Sequence, residues 1–453
     1  MRDNINKSSV VFILPSIALA ILIQPWWQVQ GIWLYDFSRW VEIGFLIAFA
    51  WVCCITGQAA LIGVERFYKF CFFVFLLLTF LSCLASSVGW ISWSLGLRGV
   101  LWVFTIIVLS YNVSGLPRSR SRAFSLILIL SIFFHLLYSF FGVVVLALNG
   151  VVNSHYMVSA FSNKNHAVSF YVPCLLILPA LEKMLDYKRG CVGLAFMLIG
   201  ALLSFMIFAI GARGGIFALV LSVLIVLWVM GSQSRRYVAW IVKCLAAGVV
   251  LFLLLDFVGE LQSNDEILFH KNVFSDSQRL LLWSRAWDGI VTGSLFGGGP
   301  LSYSSNRDLS VAHAHSLVLS LIYEYGFAFF VFICVFSIII IRKLWLCRRA
   351  ISSDLMAMSG FAAMMAFSIH AQVSGATMVP ASMLIVAIAI AFCFSPILRL
   401  DASSEASLHR WRYLYVFLIA CVSILYILVV SAYWSRAPIT DQLEPRFWQH
   451  GEV

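Results

Sequence analysis

Apolar runs follow one another along almost the whole chain, interrupted by short polar turns, and most are as long as the roughly 20 residues that cross a bilayer as an α-helix. Thirteen such segments can be drawn, at 9–23, 40–57, 67–87, 90–111, 123–148, 167–184, 191–212, 214–231, 237–257, 316–341, 355–372, 378–397 and 411–434. The last is the one a twelve-helix fold would lack. The pattern predicts an all-α polytopic membrane protein of 12–13 transmembrane helices forming one membrane domain over 1–453. The first run follows charged residues but ends in no small-residue cleavage site, so it is expected to be a retained helix.

One interval breaks this rhythm. A long loop over 258–315 joins the ninth and tenth runs, and its second half, with the helix start that follows, gathers Arg279, Arg285, Arg307, three glycines before Pro300, and His313 and His315. Inside it, Leu280, Leu281, Trp283, Ala286, Trp287 and Ile290 recur at helical spacing. They predict a short amphipathic helix over 278–292, lying on the outer face or the bundle.

Composition supports the membrane reading. The chain is 62% hydrophobic and 11% charged, with mean hydropathy +0.97, whereas soluble domains carry about 25% charged residues. A net charge of +10 raises the question of nucleic acid. The cations instead occupy loops at one face: Arg66 and Lys69; Arg118, Arg120 and Arg122; Lys183, Lys188 and Arg189; Arg235 and Arg236; Arg342, Lys343, Arg348 and Arg349; Arg399, Arg410 and Arg412. The positive-inside rule makes that face cytoplasmic and removes nucleic acid as a partner. The long loop then lies outside, as do Trp26, Trp27, Trp33 and Tyr35, which suit an interfacial aromatic belt. The 11 cysteines fall almost entirely in apolar runs, pointing to neither disulfides nor a metal knuckle.

Several polar residues have both a structural and a chemical reading. Arg213, in GARGG, either snorkels to the interface or offers a planar donor fork to a phosphate, left open by Gly211, Gly214 and Gly215. Arg279 and Arg285 are about 600° of helical turn apart and face different ways; Arg279 is the expected ligand contact. His313 and His315 stand at a helix start, where the dipole opposes protonation and keeps a ring nitrogen available to take a proton. No third ligand stands near enough to favour a metal, and no cofactor is implied. Glu324, an ionisable group in the outer half of a membrane helix, is expected to orient a histidine or arginine. Asn163, Lys164, Asn165 and His166 form either a helix start capped by Asn165 or part of a binding surface. Arg98 either pairs internally with Glu42 or reaches a lipid phosphate. His135 reads as a core residue, and nothing makes His370 specific.

The order GARGG, RLLLW, GSLFGGGP, AHAHS and YEYG, together with FSNKNHAVSFYVP, resembles the core of the O-antigen ligase and polymerase superfamily, which includes bacterial protein O-oligosaccharyltransferases that modify pilins. The resemblance implies a metal-independent, inverting glycosyltransferase in the bacterial inner membrane with its site facing the periplasm. The donor would be a glycan on polyprenyl (undecaprenyl) diphosphate, and the acceptor lipid A-core, a growing glycan or a pilin. It places diphosphate binding on Arg213 and Arg279 and catalysis on His315; the residues' own chemistry adds Glu324 in support of catalysis and His313, Arg98, Asn165 and His166 as candidate substrate contacts. His315, Ser316 and Gly326 fit the ligase spacing; Phe329 stands where that pattern has a small residue. GGGP with AHAHS leans toward the pilin-modifying branch. The rival readings are a lipid-linked glycan transporter or flippase and a non-catalytic scaffold. Internal repeats and mid-membrane helix breaks would favour the transporter, but the polar residues gather at one outer face.

Overall fold

A computed structural model describes residues 14–23, 34–55, 66–86, 90–114, 118–148, 161, 164–186, 190–262, 279–305 and 313–400, and parts of 419–428. The first span's opening residues, most of the last span, Asn163, Arg307 and the tryptophans at 26, 27 and 33 lie outside the described residues. Helices α1 (14–22), α2 (Leu34–Ile55), α3 (Arg66–Leu84), α4 (Trp90–Ser114), α5 (Arg118–Leu148), α6 (Lys164–Leu185), α7 (Cys191–Ile210), α8 (Arg213–Met230), α9 (Arg235–Gln262), α10 (Arg279–Thr292), α11 (Ser302–Ser305), α12 (Leu317–Leu346), α13 (Arg348–Ser353), α14 (Leu355–His370) and α15 (Pro380–Leu400) follow in order. There is no strand among the described residues. Among the described residues, seven helical runs are long and apolar enough to span a membrane; one of them, Arg213–Phe257, holds both α8 and α9, joined by a 3-10 turn at Gly231–Ser234. Shorter apolar helices at Val41–Ile55, Tyr68–Leu84, Leu355–His370 and Ile419–Leu428 join them. The protein is an all-α polytopic membrane protein.

Burial differs sharply between helices that look equally apolar in sequence. Helix α6 is enclosed by α5, α7, α14 and α15, and Phe170, Tyr171, Leu175 and Leu176 have no exposed surface. Such all-round burial explains an apolar pattern without a polar stripe. Helix α12 is equally apolar but peripheral: it packs on α3 and α10 and turns Val331, Val335, Ile338 and Ile341 outward, a surface suited to lipid chains.

The helix ends sort into two groups. At one end the basic residues meet carboxylates, Arg122 with Asp186 at 3.2 Å and Lys183 with Asp354 at 3.3 Å, while Ser352 bonds Gln233. These pairs are largely exposed and add little stability, though they fix which helix ends are neighbours. Arg213, Arg279 and the histidines gather at the opposite end.

A buried polar network supports that second end. Arg98 pairs with Glu42 at 2.6 Å, its Nη2 also donates to the Thr377 carbonyl at 3.3 Å, and Trp102 Nε1 donates to the same Glu42 oxygen at 2.7 Å. The internal pairing, one of the two expected alternatives, therefore occupies this guanidinium. Removing one member strands a buried charge, which costs about 3–5 kcal/mol. Arg98→Met is expected to lower the thermal midpoint of the purified protein strongly, and Glu42→Gln combined with it to recover most of the loss. A double variant no better than the single one would contradict the pairing.

Candidate active site

Helix α12 is not continuous. At Gly326 the backbone leaves helical geometry (φ 84°, ψ 170°), so carbonyls in the preceding turn lose their helical donors. The glycine run supplies replacements: Gly298 N–H donates to the Tyr323 carbonyl at 3.0 Å and Gly299 N–H to the Glu324 carbonyl at 2.8 Å. Gly297 and Gly299 have φ of 75° and 90°, accessible to glycine at no steric cost. The three glycines thus serve to dock loop backbone on a broken helix. Ser82 Oγ of α3 donates to the same Glu324 carbonyl at 2.9 Å.

Glu324 corrects one expectation. Its side chain takes a hydrogen bond from the Leu301 backbone N–H, and among the described residues no hydrogen bond or ion pair with a histidine or an arginine accompanies it. Nine residues of mostly helical rise set it about 13 Å from His315 along the axis. Phe329 fills space between α12 and α3, its ring 4.7 Å from that of Tyr325 and 5.5 Å from that of Phe75.

Helix α10 turns its smaller side inward. Leu282 and Ala286 are buried, while Leu280, Leu281, Trp287 and Val291 are exposed, an apolar surface placed for the bilayer interface. Trp283 Nε1 donates to the Ala314 carbonyl at 3.0 Å, and Tyr303 Oη to the Leu282 carbonyl at 3.4 Å. These bonds hold Arg279, at the start of α10, against the histidine segment.

The histidines form one cluster. The rings of His313 and His315 meet edge to face with centroids 4.0 Å apart, and His166 of α6 lies 6.2 Å from His313. The His315 backbone N–H donates to His313 Nδ1 at 3.2 Å, which assigns the proton of a neutral His313 to Nε2. His315 adopts a left-handed backbone (φ 49°), unusual for a side chain of this size and characteristic of functional sites. Its Nδ1 is buried and has no hydrogen-bond partner among the described residues. Burial pushes His313 down to about 4, and burial together with His313, His166 and Arg279 pushes His315 down to about 2. Both rings are therefore neutral near pH 7, and His315 presents an unoccupied lone pair. Ser316 caps α12 by accepting from Leu319 N–H, and Leu317 N–H donates to the Ala371 carbonyl at 3.0 Å, joining this segment to the end of α14.

The neutral rings set a stability dependence with a definite sign. Both histidines titrate near 6.5 when unfolded and well below that when folded, so below pH 6.5 the unfolded chain binds more protons and folding is disfavoured. The thermal midpoint of the purified protein is expected to fall as pH drops from 7 toward 4, and the slope to flatten in His313→Asn. Equal slopes for the two proteins would contradict the assignment.

The remaining predicted residues lie on α4, α6, α8 and α10. Arg213 is the first residue of α8, following Gly211 in left-handed geometry (φ 64°) at the end of α7. Arg279 lies within electrostatic reach of both His315 and His370. Arg98 acts at one remove, holding Thr377 in a turn whose Gly375 packs directly against the His313 ring. Asn165 corrects a second expectation: α6 begins at Lys164, so Asn165 sits within the first helical turn and cannot be its cap. Three features escaped sequence reasoning: the strained His315 backbone, the seat of Gly375 on His313, and the approach of His370 to Gly214 and Gly215. Only the glycines left any local signal. No group of three histidine, cysteine or carboxylate ligands gathers to hold a metal among the described residues.

Comparisons with curated proteins and with solved structures returned no match. Residues 198–334 match the family model described as O-antigen ligase; the matched segment runs from α7 into α12 and carries Arg213, Arg279, the glycine run, His313 and His315.

Proposed function

We propose that the protein transfers a glycan from a polyprenyl diphosphate donor to an acceptor hydroxyl, at the periplasmic face of a bacterial inner membrane. The match to the O-antigen ligase family model supports membrane glycosyl transfer of the ligase or polymerase type, from a lipid-linked glycan to a glycan acceptor. The observation that carries the finer reading is His315: a neutral imidazole with a buried, unpartnered Nδ1, beside Arg279.

The chemistry needs few parts. His315 Nδ1 accepts the proton of the acceptor hydroxyl as its oxygen attacks the anomeric carbon. The bond from that carbon to the diphosphate oxygen breaks, and the polyprenyl diphosphate leaves with the electron pair. Arg213 and Arg279 neutralise the charge that grows on the leaving group, which lowers the barrier electrostatically. A single displacement inverts the anomeric centre. The Glu324 carboxyl, held by the Leu301 backbone, stands two residues before the helix break. The outward apolar surfaces of α10 and α12 suit a donor whose lipid tail stays in the bilayer.

The test is deletion of the gene followed by analysis of lipopolysaccharide, long-chain polymer and pilin, with extraction of lipid-linked glycan. Loss of one product with accumulation of an outward-facing lipid-linked donor is expected, and the product lost names the acceptor. A donor trapped on the cytoplasmic side would establish transport in place of transfer.

A further inference from the structure

His370, at the last position of α14, is 2% exposed, and its Nε2 has no hydrogen-bond partner among the described residues. A buried polar atom in that condition costs free energy unless a ligand satisfies it. Its ring faces the start of α8: a methyl built on Gly214 would lie 3.4 Å from His370 Cδ2 and 3.7 Å from Nε2, and one on Gly215 would lie 3.8 Å from Cε1. Side chains at Gly214 would therefore intrude on the space before Nε2.

The opposing surface is a helix N-terminus. Helix α8 has 18 residues, its N-cap is Ala212, and no side chain caps its first turn. Gly215 N–H donates to the Ala212 carbonyl at 3.0 Å, and the positive end of the helix dipole lies at the turn that packs beside His370. Arg213 opens the same turn, and Arg279 lies near enough to His370 to act on it electrostatically. Val373 and Val168 pack against Gly214 and Gly215, and the polar groups named here are donors or cations, the imidazole becoming a donor when its proton is on Nε2. The ligand chemistry that satisfies them all is an oxyanion.

We propose that His370 and the first turn of α8 form a seat for one phosphate of the diphosphate, with His370 Nε2–H donating to a non-bridging oxygen. This rests on the glycosyl-transfer reading above and extends it, adding an uncharged donor to the two arginines. His370 thereby becomes a substrate-binding residue, distinct from the proton acceptor His315. A neutral donor between two cations strengthens the grip on the diphosphate without adding repulsion between like charges.

Binding of inorganic pyrophosphate to the detergent-purified full-length protein, followed by isothermal titration calorimetry, tests the seat. His370→Leu is expected to weaken pyrophosphate about tenfold or more and to raise KM for the lipid-linked donor, with the acceptor's KM unchanged. His370→Asn, which keeps an N–H donor, is expected to restore most of the affinity. Gly214→Ala, which narrows the approach to Nε2, offers a second measurement if His370→Leu does not fold. Wild-type affinity in His370→Leu or, where that variant is lost, in Gly214→Ala overturns the seat, as does a wild type that binds no pyrophosphate. Displacement of pyrophosphate by phosphatidylglycerol and not by the donor reassigns the site to a structural lipid and also overturns the proposal. A wild type that binds pyrophosphate but transfers no glycan would sink the proposed function and leave the anion seat standing.

Discussion

Replacing His315 by alanine is expected to reduce glycan transfer about 100-fold to 10,000-fold, the range over which a positioned general base acts. The loss should fall on kcat, with donor KM little changed, because the imidazole accepts a proton only as the new bond forms. Arg279→Ala is expected to cost about 100-fold to 1,000-fold, the magnitude associated with removing one stabiliser of transition-state charge. The two losses should combine to less than their product if both residues serve one step. Purified protein in detergent, a lipid-linked donor and equal amounts of folded enzyme provide the measurement. A His315→Ala rate within about tenfold of wild type would remove the imidazole from the chemistry. The left-handed backbone at His315 adds a secondary expectation. Asparagine tolerates that conformation better than alanine does, so His315→Asn should fold as well as wild type and be as inactive as alanine.

The second large effect belongs to Gly326. Its φ of 84° lies where a side chain is strained, and an added Cβ would run into the Leu295 carbonyl oxygen and the Gly297 nitrogen. Backbone strain and overpacking each cost about 1–3 kcal/mol. Gly326→Val is therefore expected to lower the thermal midpoint sharply, and to lose transfer even where the protein still accumulates in membranes. The turn bearing Tyr323 and Glu324 could no longer hold the glycine run, and that run helps position α10 and Arg279. Gly142→Ala is the matched control. Nothing lies within 4 Å of a methyl there, in the middle of α5, so alanine should be neutral or stabilising by up to about 1 kcal/mol. Equal behaviour of the two variants would contradict the interlocked backbone.

The spans were legible because a bilayer imposes a single requirement, about 20 apolar residues, on each crossing. Arg213 and Arg279 stand out in the sequence because charge so near a membrane helix is costly, and flanking glycines give Arg213 room. The Arg98 and Glu42 pair was visible as one alternative for the same reason. Through-space relations were hidden. Glu324 announced itself as an expensive buried carboxyl, but its partner is the backbone of Leu301, which carries no signature in the sequence. The break at Gly326 was hidden too, since a single glycine in an apolar helix usually passes as a packing residue. Asn165 was misjudged because helix starts are set to within a few residues at best, and the α6 start advanced to Lys164. His370 stands near Gln372 at the end of an apolar helix with no local pattern, and only the approach of α8 makes it notable.

The interruption of α12 has a mechanical side. The short piece before Gly326, which leads from His315, is tied to the glycine run and to Ala371, while the long piece after it faces the bilayer and meets α8 through the rings of Trp345 and Trp228, 5.7 Å apart. Tilting of the long piece to match a thicker or thinner membrane is expected to pivot at Gly326, so that the imidazole stays beside Arg279.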